Sequence, residues 1–281
     1  MRTYFLTLAI ILSICNILHA QTAKDWAQSA AKKVANNDLI GAIADYDKAL
    51  ALDPQSKILY YDLGVAKYNL SHYEDGIADL DKAISLDSKF AEAYATRGEA
   101  KRSLARYSQA VVDYDKATEL NPGYALPYGG RGNVALKLGR YADAIKDYDK
   151  NIALDPSNPQ ILNNRAYAKN RIGQYADAIT DCDKVIAIDA KYFYAYGTRG
   201  EAKTNLGNYA DAIIDFNKAI ALYPNDAEAF NYRGYTYYKL GKKKENYQKA
   251  INDYDTAIRL SDKDYKPLMQ YRKEALLALN Q

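Results

Sequence analysis

The 281-residue chain is poor in the side chains that carry most metal and nucleophilic chemistry. It has two cysteines and two histidines, and Cys15 and His19 both lie within the first twenty residues. Beyond that segment remain Cys182 and His72. A single cysteine forms no disulfide within its own chain, so stability must come from packing. One histidine and one cysteine make neither a metal-ligand cluster nor a Cys/His nucleophile pair, and no metal or other cofactor is expected. Charge of one sign is scarce as well: 38 basic against 35 acidic residues give +3, or +2 once Arg2 is removed with the N-terminal segment. Nucleic-acid affinity comes largely from a clustered basic face, and the only dense basic run is Lys242-Lys243-Lys244, so no nucleic-acid partner is expected. Glycine-rich phosphate loops are missing too, because Gly129-Gly130-Arg131-Gly132 lacks the Lys-Ser/Thr ending.

Long apolar runs are absent apart from Phe5 to Leu18, which is interrupted by Thr7, Ser13 and Asn16. That run is short for a membrane span, follows a basic residue, and precedes a small residue, Ala20. Residues 1–20 therefore read as a secretory signal peptide cleaved after Ala20, leaving an exported mature chain, periplasmic or extracellular, that does not insert in a membrane. Leu12-Ser13-Ile14-Cys15 loosely resembles a lipobox, but Ile14 is bulky where a small residue is needed, which disfavours a lipid anchor on Cys15.

What the chain has in excess is tyrosine, 28 copies against five phenylalanines and one tryptophan. The excess is periodic. Gly64, Gly98, Gly132, Ala166, Gly200 and Gly234 are 34 residues apart, as are Tyr73, Tyr107, Tyr141, Tyr175 and Tyr209. Ala42, Gly76, Ala110, Ala144, Ala178 and Ala212 keep the same step, and Pro54, Pro122, Pro156 and Pro224 punctuate it. Within one copy, Ala91–Leu104 and Tyr107–Leu120 each place apolar or small residues at three-and-four spacing, which predicts two amphipathic helices. The break at Ala105-Arg106 allows only a tight turn, so the helices fold back on one another, and Pro122 ends the second. Helices this short are marginal alone, so the hairpins must stack.

The recurring set of an aromatic, a small residue, Tyr, Ala, Tyr and Pro, as in Tyr128, Gly132, Tyr141, Ala144, Tyr148 and Pro156, resembles the tetratricopeptide repeat (TPR). In the first copy the aromatic is Trp26. The resemblance implies an all-α fold, a right-handed α-solenoid of seven helical hairpins over residues 23–262 starting near 23, 57, 91, 125, 159, 193 and 227. A capping helix is expected over 263–281, with Tyr271, Ala275 and Leu279 on one side. The seventh copy is longer by four residues near 243–246, which a turn would absorb most cheaply.

One departure from the family pattern is regular. Leucine commonly precedes the small glycine, as Leu63 does, yet five successive copies carry Arg97, Arg131, Arg165, Arg199 and Arg233. The second helices bear acidic pairs such as Asp113/Asp115, Asp147/Asp149 and Asp181/Asp183. A half-buried guanidinium needs a carboxylate, so an arginine–aspartate ladder between neighbouring helices is expected. Acidic pairs repeated in copy after copy are structural and give no reason to expect an enzyme. Cys182 stands in a slot held elsewhere by Tyr148 and Phe216 and reads as a core residue.

The resemblance also implies that first helices line a concave groove. Tyr61, Tyr68, Tyr167, Tyr194, Tyr235 and Tyr238 lie on first helices outside the framework slots, and with Asn163, Asn170 and Asn231 they could hold an extended peptide. The basic and asparagine set of family members that clamp a C-terminal carboxylate is absent: Lys24, Asp62, Glu99 and Asn133 do not match it. The expected function is a non-catalytic scaffold for a protein or peptide partner, the alternative being a structural array that self-associates or joins an envelope assembly.

Overall fold

Short helices broken at a fixed interval are what the chain forms. The computed structural model describes residues 22–241, 243–261 and 266–280, so the expected signal peptide, Cys15 and Lys242 lie outside the described residues. The described residues are all-α, with helices paired in successive antiparallel hairpins and no strand among them. The pairs are α1 (Ala23–Ala35) with α2 (Leu39–Leu52), α3 (Lys57–Asn69) with α4 (Tyr73–Leu86), and α5 (Ala91–Ser103) with α6 (Tyr107–Leu120). Then come α7 (Ala125–Lys137) with α8 (Tyr141–Leu154), α9 (Pro159–Arg171) with α10 (Tyr175–Ile188), and α11 (Phe193–Asn205) with α12 (Tyr209–Leu222). The last pair is α13 (Ala227–Leu240) with α14 (Lys244–Leu260), followed by α15 (Lys266–Leu279). The chain divides into two compact units, Met1–Gly130 and Arg131–Gln281.

Each turn inside the first six hairpins is three residues long and its middle residue is left-handed: Asn37, Ser71, Ala105, Gly139, Gly173 and Gly207 all have positive φ, and in the seventh hairpin the first turn residue, Gly241, does. The conformation lets the residue after it reach back across the helix end, as in Arg106 N–H to the Lys101 carbonyl at 2.9 Å. Glycine adopts it freely, whereas the Cβ of Ala105 at φ 56° strains it. Ala105→Gly is expected to stabilise the protein by about 0.5–1 kcal/mol, strain relief outweighing the extra freedom of glycine in the unfolded chain. A lower melting temperature for that variant would contradict this account.

Helix crossings use the periodic small residues. A Cβ on Gly98 would lie 2.7 Å from the Tyr114 ring, one on Gly132 2.7 Å from Tyr148, and one on Gly200 2.9 Å from Phe216. These rings and the facing Ala110, Ala144 and Ala212 are fully buried. In the fifth hairpin the glycine is replaced by Ala166 and the ring by Cys182, so the smaller sulfur side chain leaves room for the added methyl. Burial pushes the Cys182 thiol well above its usual range, which makes it an inert core residue.

The four extra residues of the seventh copy do not enter the turn, as expected from the cost of loop insertion, but lengthen the helices. The turn Gly241–Lys243 keeps three residues, α13 gains one residue over α11, and α14 has 17 residues where its counterparts have 14. Lys244, Glu245 and Asn246 are compatible with a helix start, and the Asn246 amide donates to the Gly241 carbonyl at 2.7 Å. Helical residues satisfy their own backbone, which a longer loop would leave to water. Helix α15 packs on α14, burying Ala275 against Ala250, Ile251, Tyr254 and Ala257.

Candidate functional site

The expected ladder is formed. Arg97 donates from Nε and Nη2 to both Asp113 oxygens at 3.0 and 2.6 Å, and from Nη1 to Asp81 of the preceding hairpin at 2.5 Å. Arg165 holds Asp181 and Asp149 in the same way, Arg199 holds Asp215 and Asp183, and Arg233 holds Asp253 with Asn217. Arg131 makes the bidentate pair with Asp147 at 2.9 and 2.6 Å. Each fork therefore fixes its own hairpin, and Arg97, Arg165, Arg199 and Arg233 also fasten the preceding one. Several guanidiniums rest on the ring three residues earlier, Arg97 on Tyr94 and Arg199 on Tyr196 at 5.2 and 5.5 Å. Where the arginine is missing, smaller groups substitute: Ser29 and Lys33 reach Asp45, whose carboxyl they hold at about 2. This network is spent on architecture.

The residues open to a ligand lie elsewhere on the first helices. In the unit Arg131–Gln281 a cavity of about 170 Å³ opens on that face, between α9, α11 and α13 with Leu136 of α7. Asn163, Asn164 and Tyr167 come from α9; Tyr194, Gly197, Thr198 and Glu201 come from α11. Helix α13 adds Glu228, Ala229 and Tyr232, and Asp226 caps its start. Positions 194, 197, 198 and 201 are spaced to share one helix face, and 228 and 232 repeat two of the same register slots. The carboxyl of Glu228 is raised above the usual carboxylate range by desolvation and by the neighbouring Asp226 charge, even though much of its side chain is exposed.

Three of the nine residues singled out by sequence, Asn163, Tyr167 and Tyr194, come together in this cavity. The Asn163 side-chain oxygen is buried with no hydrogen-bond partner, and the Tyr194 ring is 56% exposed. Asn170 lies beyond the cavity, where its amide donates to the Thr198 carbonyl at 2.9 Å and ties α9 to α11. Tyr235 packs edge-on against Tyr271 of α15, and Tyr238 lies against Tyr247 of α14. Asn231 is half-buried on α13 and outside the cavity lining. In the other unit, Tyr61 packs on Phe90 at 5.0 Å and Tyr68 on Tyr73 at 5.7 Å. Sequence reasoning missed Asn164, Glu201, Asp226, Glu228 and Tyr232. Their signal was variability: positions 130, 164, 198 and 232 share a slot yet hold Gly, Asn, Thr and Tyr beside a constant arginine.

No helix among the described residues is long and apolar enough to cross a membrane, and none of their His, Cys, Asp or Glu side chains cluster as a metal site.

Comparison with known proteins agrees with this geometry. A family model described as TPR repeat matches residues 33–71, 132–173 and 200–241. A second, described as tetratricopeptide repeat, matches 59–90, 91–124 and 159–192. No curated protein matches in sequence. Among solved structures, a tetratricopeptide repeat protein from Parabacteroides merdae is 18% identical with a TM-score of 0.62, the match covering 92% of this chain and 100% of that one. YrrB, a TPR protein with an unusual peptide-binding site, is 25% identical with a TM-score of 0.57 over 69% of this chain and 97% of its own. MamA is 27% identical with a TM-score of 0.52 over 60% and 92%. Matched over most of its described length, with the small-residue crossings and paired helices in register, the chain belongs to the tetratricopeptide repeat family.

Proposed function

We propose that this protein is an exported, non-catalytic scaffold that binds an extended peptide or protein segment along the first-helix face of residues 131–240. The observation that carries the reading is the cavity itself. It is built from the slots that vary between copies, while the constant slots are occupied by packing and by the arginine–aspartate ladder. Rings at Tyr167 and Tyr194 offer contact area at low entropic cost, and the Asn163 and Asn164 amides suit a peptide backbone. The likeness to YrrB, whose structure has a peptide-binding site, supports the same use of the fold. Arg2, the apolar run to Leu18 and Ala20 support export.

The test is chemical crosslinking in the native host followed by capture of this chain and mass spectrometry. The captured bait is expected to begin at Gln21, and alanine at both Tyr167 and Tyr194 is expected to remove most of the crosslinked partner with the helical content unchanged. Retention of the full partner yield by that double variant would overturn the assignment of the groove. Tyr235 and Tyr238 serve as the contrast, since alanine there removes packing against α15 and α14 and lowers stability.

A further inference from the structure

The groove already contains one bound guanidinium, and it comes from the chain itself. Arg171 lies over the Tyr167 ring at 4.8 Å, donates to Glu201, and reaches the Tyr232 hydroxyl at 3.2 Å. Its holder is thus an aromatic face from one first helix and a carboxylate from the next, and Tyr167 and Glu201 occupy the same register slot 34 residues apart. A second pair of this kind lines the same cavity: Tyr194 on α11 and Glu228 on α13 are likewise 34 residues apart in one slot. This pair has no cation bonded to it among the described residues. The position four after Tyr194, which in the first set is Arg171, is Thr198, and the only cation whose charge reaches Glu228 is that same Arg171, already held by Tyr167 and Glu201. Glu228 makes no ion pair among the described residues, and Asp226 beside it adds a second negative charge. The buried, unpartnered Asn163 oxygen adds an acceptor to the same cavity.

We propose that Tyr194 and Glu228, supported by Asp226, form a receptor for an arginine side chain of the bound peptide, repeating toward a partner the arrangement that holds Arg171. The charge pattern selects a cation, and a planar guanidinium both stacks on a tyrosine face and meets a carboxylate with two parallel bonds, which an ammonium does not. This inference rests on the groove proposed above and names what the groove takes.

The experiment is selection of random heptapeptides on the purified protein, followed by fluorescence anisotropy with the selected sequences and with copies in which each arginine is replaced by lysine or by neutral, isosteric citrulline. Selected peptides are expected to be enriched in arginine. Citrulline should weaken binding about tenfold or more and lysine by less, as expected for a charge-assisted bidentate pair. Glu228→Gln should abolish the arginine–citrulline difference and leave the citrulline peptide nearly unaffected. Binders that lose affinity with Tyr194→Ala yet show no preference for arginine would overturn this inference while leaving the peptide-binding groove in place. Binders indifferent to both Tyr167→Ala and Tyr194→Ala, or no binders at all, would overturn the groove and the inference together. Because Glu228 is exposed and makes no ion pair, its variant keeps the fold, which circular dichroism confirms.

Discussion

Replacing Arg233 by alanine is expected to cost about 3–5 kcal/mol, more than the same change at Arg97, Arg165 or Arg199, because a buried carboxylate is left without its cation. Asp253 is 5% exposed and receives both Nε and Nη2 of Arg233, at 2.8 and 2.7 Å. At the rungs of Arg97, Arg165 and Arg199 a lysine four residues further along the helix shares the acid, as Lys203 does with Asp215 at 2.7 Å. The seventh copy has Tyr237 in that place, so nothing takes over when the guanidinium goes. Burial already raises the Asp253 carboxyl above its ordinary value of 3.8 against the opposing pull of Arg233, and losing the arginine raises it further. A raised acid binds a proton more readily in the folded chain. The deficit is therefore full at neutral pH and shrinks as pH falls through the folded value toward 3.8. Urea unfolding at pH 7 and near pH 4, with hydrogen exchange in α13 and α14, reads both effects. An Arg233→Ala deficit no larger than that of Arg199→Ala, or one that grows in acid, would sink the explanation. Replacing Arg233 and Asp253 together by methionine and leucine should restore most of the loss, since the penalty belongs to the unpaired charge and not to the missing bridge.

That ladder was legible in the sequence because one residue type filled one slot five times, opposite acids held as regularly. The same regularity exposed the hairpins and the crossings of Gly98 with Tyr114 and Gly132 with Tyr148. What repetition could not show is where the copies differ for a reason. The cavity is made mostly from slots that change residue from copy to copy, and on a single sequence such change looks like ordinary surface. Tyr235 and Tyr238 attracted notice as unassigned rings, but Tyr271, the neighbour of Tyr235, belongs to α15, which has no counterpart in the other copies, and Tyr238 meets Tyr247 as Tyr68 meets Tyr73 in the second hairpin. The four extra residues, one in α13 and three in α14, were visible in the sequence and misread as loop, because the choice depends on the backbone satisfying itself as helix and on the Asn246 bond to Gly241.

One substitution made at two equivalent slots should act in opposite directions. Tyr114 and Tyr254 occupy the same second-helix position, and both side chains are fully buried. The Tyr114 hydroxyl donates to Glu99 at 2.6 Å, in a set completed by Arg102 on the same carboxylate at 2.6 Å. The Tyr254 ring lies against Gly234 as the Tyr114 ring lies against Gly98, but its hydroxyl is buried with no hydrogen-bond partner. Position 99 corresponds to position 235, where the second helix's partner is a tyrosine that has turned toward Tyr271. Tyr114→Phe removes a charge-assisted bond and strips a buried acceptor, at a cost of about 1.5–3 kcal/mol. Tyr254→Phe removes only an unsatisfied hydroxyl and should stabilise the chain by about 1 kcal/mol, the desolvation penalty recovered less the small void left behind. The two melting temperatures should therefore move apart, that of Tyr114→Phe falling and that of Tyr254→Phe rising. Equal losses at both positions would mean that the Tyr254 hydroxyl is satisfied in solution and that the two slots are energetically alike.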